Sequence, residues 1–308
     1  MRSINDPCHY QSGGWTEYSR LGNVEFSLST RRHSLARIDY TTGWGCQRTG
    51  AAAAQDGVDV VAVYGGDGTV VEAADGLIDS EVPLAILPGG TANVVAQELG
   101  IPQELTAAAL LATGEKGIVR HVDMGRVNED CFFLRVGLGA EARITEGADR
   151  ELKNRLGFFA YLWSAAQSLA TVEMATYHLS IDGRDITVDG ITCAVINSGN
   201  LGLANLQIAP DIAIDDGLLD VIVIQNANLP ALAEMIGSVA GLTDATEEQR
   251  GISQYEGALH HWKGKEIIVR SEPVQVAQYD GEMLKTDCIH CQILPRALHV
   301  LVPAPGES

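Results

Sequence analysis

Two glycine-rich turns placed in tandem limit what this chain can fold into. Residues 58–100 read VDVVAVYGGDGTVVEAADGLIDSEVPLAILPGGTANVVAQELG. Two short apolar runs, 58–63 and 82–87, have the composition of buried parallel strands. The first runs into Gly65-Gly66-Asp67-Gly68-Thr69, the second into Gly89-Gly90-Thr91, with Asn93 just beyond. Each turn then opens a helical pattern. Val70, Val71, Ala74, Leu77 and Ile78 recur at helical spacing, and Thr69 with Glu72 reads as a capping box. The second helix is expected over about 92–99, stopped by Gly100 with Pro102 beyond it.

Such turns suit a phosphorylated ligand. Glycine lets the backbone turn sharply and approach a ligand closely. The free amides of a helix N-terminus favour an anion. Asp67 is out of place there, because a carboxylate repels phosphate unless a divalent cation lies between. Asp67 therefore reads as a Mg²⁺ contact, direct or through water. The plainer alternative is two ordinary βα turns. A tandem pair with an embedded aspartate favours nucleotide binding over that alternative.

GGDGT followed by LPGGTAN resembles the catalytic domain of the diacylglycerol kinase superfamily, especially the bacterial soluble lipid kinases. NAD kinases share GGDGT alone, so the pair is the more specific signal. The resemblance covers roughly residues 41–303. It implies that Gly65, Gly66, Asp67, Gly68, Thr69, Gly89, Gly90, Thr91 and Asn93 cradle ATP. Asp39-Tyr40-Thr41-Thr42-Gly43 resembles the family's next strand and threonine, which adds Thr42 to that set. The family's opening strand and Asn-Pro-x-x-Gly turn have no counterpart in residues 1–40. Gly45-Cys46-Gln47 stands where the family carries Gly-Asp-Ala or Gly-His-Ala. A catalytically weak relative that binds nucleotide or lipid without turnover is therefore a rival reading.

Three later blocks continue the match. His121-Val122-Asp123-Met124-Gly125 resembles the strand leading into the family's second domain, where the aspartate belongs to an acidic network around the metal. Read alone, Asp123 is a strand-end carboxylate. Ala209 to Asp220 resembles the AP-x-A-x-x-x-DG-LLD segment. By that resemblance Asp216 and the carbonyls of Ala213 and Leu218 hold a structural Mg²⁺, a donor set hard cations accept. A plain Asp-Gly turn is the alternative. Asp280-Gly281-Glu282 resembles the family's Asp-Gly-Glu motif. By that resemblance Asp280 takes the proton of the substrate hydroxyl and Glu282 supports it, with Asp67 the third catalytic acid. Asp-Gly otherwise signals a hairpin turn, and it also occurs at 182–183 and 189–190.

The rest of the chain alternates between the two signals. A helix is expected over 103–113 and strands over 118–124, 132–136, 176–181, 186–188, 192–196, 218–224, 267–270, 274–277 and 297–303. Helices are expected over 156–170, a core element or the lining of an acyl pocket, and over 229–240, before a polar connection at 243–251. The fold class is thus α/β plus β. An N-terminal nucleotide-binding domain with a parallel sheet (1–121) precedes a larger antiparallel β-sandwich domain (122–308), with the C-terminal strand returning toward the first.

Charge narrows the partners. Lys and Arg total 21 against 40 Asp and Glu, a net charge of −19. Nucleic acid is excluded, and an anionic membrane offers no long-range attraction. A lipid substrate implies transient contact through a local apolar or basic patch. No run approaches the about 18 apolar residues of a membrane span, and the start lacks a secretory apolar core, so a cytoplasmic protein is expected. A homodimer is compatible with this. Cys288-Ile289-His290-Cys291 offers metal ligands, but no second Cys/His pair accompanies it, so a structural role is preferred. No lysine precedes Lys116 and no Walker-type lysine loop exists. The expected activity is ATP- and Mg²⁺-dependent phosphorylation of diacylglycerol or a related lipid. NAD kinase-like activity and a non-enzymatic scaffold are the other rivals.

Overall fold

The computed structural model of the chain describes residues 35–37, 51–52, 55, 58–113, 117–139, 174–200, 212–225 and 259–305. The elements expected at 39–43, 156–170, 229–240 and 243–251 lie outside them. The chain divides into two compact units, one of residues 14–124 and 295–308, the other of residues 1–13 and 125–294.

The first unit is built on parallel strands. Strands β1 (Leu35–Arg37), β2 (Val60–Gly65) and β3 (Leu84–Pro88) lie side by side, and Val300 of β15 (Ile289–Pro303) pairs parallel with Leu84. All five residues of β3 are buried, as a strand covered on both faces requires. Val60, Ala85, Ala112 and Leu301 pack into one core. Helices α1 (Asp67–Asp75) and α2 (Val94–Glu98) follow the two turns, and α3 (Leu105–Ala112) comes next. The Glu104 carboxylate caps α3 by accepting from the Thr106 and Ala107 amides at 3.0 and 2.7 Å.

Two local expectations change here. Both strands begin two residues after their apolar runs do, at Val60 and Leu84. The Thr69–Glu72 capping box does not form. Helix α1 starts at Asp67, with Gly66 as its N-cap and no side chain bonded there. Thr69 sits inside the first turn, filling the space over Gly65. A Cβ built on Gly65 would lie 2.7 Å from the Thr69 Cβ.

The second unit holds two antiparallel sheets. In one, residues 289–292 of β15 pair with β12 (Glu266–Glu272), which pairs with β7 (Ala175–Ile181), then β8 (Arg184–Gly190). The other has the order β11 (Leu259–Gly264), β10 (Leu219–Ile224), β9 (Thr192–Ile196), β6 (Arg135–Gly139), β13 (Ala277–Tyr279), β14 (Glu282–Leu284). Tyr177, Leu179 and Ile267 of the first sheet share a core with Val136, Val195 and Val221 of the second. That is a sandwich, with alternate side chains of each sheet turned inward. Strand β4 (Gly117–Val127) ends in a hairpin with β5 (Asp130–Phe132), and Phe132 enters the same core.

Three strand expectations are corrected in this unit. The run 132–136 is broken at Phe133–Leu134, where the backbone bends to meet Asp280. Asp182-Gly183 makes a turn, with φ of 50° and 80°, but Asp189-Gly190 stays within β8. A Cβ on Gly190 would lie 2.6 Å from Val223 Cγ1, so this glycine serves close packing rather than a turn. The run 274–277 becomes strand only at Ala277. Cys291 is a free, buried thiol that burial pushes up in pKa, whereas His290 points outward to Glu266 at 2.8 Å. Strand alternation turns the two side chains to opposite faces. Among the described residues no helix is long and apolar enough to cross a membrane.

Phe132 is fully buried in the sandwich core. Phe132→Ala is expected to cost about 3–5 kcal/mol of stability, read from the denaturation midpoint of the purified protein. An unchanged midpoint would show that this core does not carry the unit.

Candidate active site

The two turns form one object. Gly65 and Pro88 are register partners across β2 and β3, and the Gly89 amide donates to the Gly65 carbonyl at 2.9 Å. One residue further, the chains touch. A Cβ on Gly90 would lie 2.5 Å from the Gly66 Cα, so no side chain fits there. Asp67 adds a third link, its Oδ1 accepting from the Val95 amide at 2.9 Å. That bond satisfies one of the first amides of α2. Asn93, the residue before α2, has φ of 49°, a left-handed conformation that asparagine tolerates. Its Oδ1 accepts from the Gly90 amide at 2.8 Å, and its Nδ2 donates to the Gly90 carbonyl and to Gln103 Oε1, both at 3.1 Å.

The structure therefore brings together Gly65, Gly66, Asp67, Gly68, Thr69, Gly89, Gly90, Thr91 and Asn93. Gly68 and residues 89–91 are exposed, while Asn93 is buried as a brace. No side chain caps the start of α1, where the first amides of a helix have no intrahelical partner. Thr42 lies outside the described residues.

Asp123 and Asp280 are each held by backbone donors. Asp123 is buried and accepts from the Arg296 amide at 2.6 Å, where Arg296 itself has φ of 53°. In this place it fixes an irregularity in β15. Asp280 follows β13 in the second unit. Its carboxylate accepts from the amides of Phe133 at 2.6 Å and Arg135 at 2.9 Å, and from Leu134 at 3.1 and 3.3 Å. Burial pushes the Asp280 carboxyl up from 3.8 to about 6, against the downward pull of these amides and of the Arg135 charge. The folded state thus binds this proton more tightly than the unfolded chain does. Its contribution to stability is complete below pH 3.8 and is lost as the pH rises through about 6. Glu282 opens β14, half-buried, with the Tyr279 hydroxyl 3.5 Å from its Oε2.

Asp216 lies in the turn before β10. Its Oδ1 accepts from the Leu218 amide at 3.0 Å and its Oδ2 from the Lys263 ammonium at 3.2 Å. Lys263 also lies 3.4 Å from Asp220 Oδ1, and His261 Nε2 lies 2.5 Å from that same oxygen. Among the described residues no three His, Cys, Asp or Glu side chains are grouped to hold a metal. A Mg²⁺ here fits in donor type, with the Asp216 carboxylate and the Ala213 and Leu218 carbonyls. It would have to share the Asp216 oxygen that Lys263 now engages.

Residues 9–127 match the family described as "Diacylglycerol kinase catalytic domain". Residues 135–302 match "YegS C-terminal NAD kinase beta sandwich-like domain". The chain belongs to the diacylglycerol kinase superfamily of lipid kinases. A Bacillus subtilis relative named diacylglycerol kinase is 29% identical over 252 residues, 80% of this chain and 78% of that one. An uncharacterized Synechocystis protein is 32% identical over 252 residues. That match takes in 82% of this chain but 57% of the Synechocystis protein. The crystal structure of a Bacillus anthracis diacylglycerol kinase superposes with a TM-score of 0.63 at 25% identity, covering 87% of this chain and 85% of that one.

Sequence reasoning missed three parts of the site. Val95 and Gln103 brace the turns through bonds that no spacing rule announces. The Phe133–Arg135 bend lies 145 to 147 residues from its aspartate. The Asp-Gly pairs at 182–183 and 189–190 make that signal a cheap one, and only the late position of Asp280, just before the final strands, raises it above them.

The Asp67–Val95 bond makes a direct prediction. Asp67→Ala should speed hydrogen exchange of the Val95 amide roughly tenfold or more, whereas Asp67→Asn, which keeps an acceptor, should protect it. Equal exchange in both variants would show that the bond does not hold α2.

Proposed function

We propose that this protein is an ATP-dependent lipid kinase that transfers the γ-phosphate to a hydroxyl of diacylglycerol or a related lipid. The observation that carries this reading is the backbone contact of Gly66 with Gly90. It aligns two glycine turns side by side under the uncapped start of α1. Backbone amides and a helix N-terminus fit a polyphosphate. Phosphoryl transfer asks chiefly for positioning and charge neutralisation, which such a rigid cradle supplies.

Each part of the chain has a task in this reading. The turns Gly65–Thr69 and Gly89–Thr91 hold the phosphates, and Asn93 keeps the second turn in shape. When bound, Mg²⁺ neutralises phosphate charge. Asp67 is the turn residue that would hold it at the nucleotide and Asp216 the one at the structural site. Mg²⁺ commonly binds through one or two carboxylates plus substrate phosphates, so the lack of a larger acidic cluster is no obstacle. A carboxylate of the Asp280–Glu282 segment takes the hydroxyl proton. The lipid acceptor is supported by the family and by the name of the Bacillus subtilis relative. The net charge of −19 makes membrane contact local and brief rather than electrostatically driven.

The test is phosphate transfer from labelled ATP, with Mg²⁺, to a panel in mixed micelles. The panel holds diacylglycerol, monoacylglycerol, phosphatidylglycerol, ceramide and sphingosine, with NAD⁺ as a separate soluble acceptor. The expected product is phosphorylated diacylglycerol, lost on removal of Mg²⁺. Label on NAD⁺ alone would replace this reading with an NAD kinase. A higher melting temperature with Mg-ATP but no labelled product would mark a binding protein without turnover.

A further inference from the structure

The turn before β10 has a cation of its own at hand. Asp220 of β10 and Lys263 of β11 are register partners, so their side chains share one face of the sheet. Strand alternation puts His261 on that face too. Asp220 is enclosed, at 1% side-chain exposure. A carboxylate taken out of water needs a paired charge or a hydrogen bond. Its Oδ1 has His261 Nε2 at 2.5 Å and Lys263 Nζ at 3.4 Å. The same ammonium reaches Asp216 Oδ2 at 3.2 Å. Lys263 thus bridges a buried carboxylate of the strand and a carboxylate of the turn.

The two contacts differ in kind. Asp220 is enclosed, whereas the side chains of Asp216 and Lys263 keep 26% and 28% of their exposure. An ion pair that open to water is weak and readily exchanged. Asp216 does not depend on it for its place, because its Oδ1 accepts from the Leu218 amide at 3.0 Å across Gly217, whose φ is 74°. We propose that Lys263 is the resident counter-ion of Asp216 and sets the affinity of the divalent-cation site at this turn. With no cation bound, the ammonium neutralises Asp216. When a cation takes the Asp216 carboxylate, the ammonium withdraws to Asp220. A lysine suits this exchange, with three donors on a flexible four-carbon stem. The competing charge weakens the site, so its occupancy follows the free Mg²⁺ concentration. This inference rests on the reading of Asp216 as a structural Mg²⁺ ligand, whichever hydroxyl accepts the phosphate.

The experiment titrates Mg²⁺, without nucleotide, into the full chain as wild type, Lys263→Met, Lys263→Gln and Asp216→Asn. Binding is read by calorimetry and by melting temperature, so no activity is needed. Removing one positive charge beside a doubly charged ion should tighten Mg²⁺ binding roughly tenfold in Lys263→Met. In EDTA this variant should melt below the wild type, and Mg²⁺ should raise its melting temperature by more than it raises that of the wild type. Lys263→Gln keeps N–H donors without the charge. It should show the same tightening, and it carries the test if Lys263→Met does not fold. Asp216→Asn should lose the response, which separates this site from a cation taken up at Asp67. Equal Mg²⁺ affinity in the wild type and the Lys263 variants would overturn the proposal while the site itself stands. An undiminished response in Asp216→Asn would place the cation elsewhere and overturn it as well. No response in any of the four proteins would remove the structural site, and the role of Lys263 with it.

Discussion

The backbone of Gly66 lies against that of Gly90, close enough that a Cβ on Gly90 would sit 2.5 Å from the Gly66 Cα. Everything around the two turns follows from that contact. The parallel pairing of β2 and β3 brings the turns level at Gly65 and Pro88. The absence of side chains lets the chains close the last distance, and the Gly89 amide and the Asp67 carboxylate tie them from both sides. In the proposed role, a turn open to a polyphosphate cannot be filled by side chains, so its rigidity would come from backbone contact and from bonds behind it. Asn93 supplies the latter, buried under the second turn with both ends of its amide engaged.

The same device recurs through the molecule. In a chain with 40 acidic residues, several aspartates act as staples between distant segments by accepting backbone amides. Asp67 takes Val95, Asp123 takes Arg296, Asp182 takes Lys265 and Glu266, and Asp280 takes Phe133 through Arg135. Hydrogen bonds to an ionised acceptor are stronger than those between neutral groups. Such staples fix loops where the chain has few apolar contacts. They also warn against reading every carboxylate near a candidate site as a ligand or base. Asp216 shows the same ambiguity, divided between the Leu218 amide and the Lys263 ammonium.

Much of this was legible in the sequence because it was local. Apolar runs, glycine turns and Asp-Gly pairs specify strands and turns within a few residues, and the α/β unit and the sandwich follow from them. The failures were those where a distant partner decided. Thr69 and Glu72 fit a capping box, yet the helix begins earlier because Thr69 packs over Gly65. Residues 132–136 have the composition of a strand, yet Asp280 draws their amides out of the ladder. Gly190 looked like the second half of a turn, and instead lets Val223 approach β8. Residue types were read correctly in each case, but the geometry belonged to a segment far along the chain.

The central claim is that the Gly66–Gly90 contact builds the phosphate cradle, and Gly90→Ala tests it most directly. The measurement is Mg-ATP affinity by calorimetry, alongside the melting temperature of the ligand-free protein. The added methyl must push the two turns apart, since overpacking is met by backbone shifts. The account predicts wild-type binding that weakens roughly tenfold or more in Gly90→Ala, with the protein still folded. Equal affinity in both proteins would contradict it, because a cradle that tolerates that methyl group does not depend on the contact.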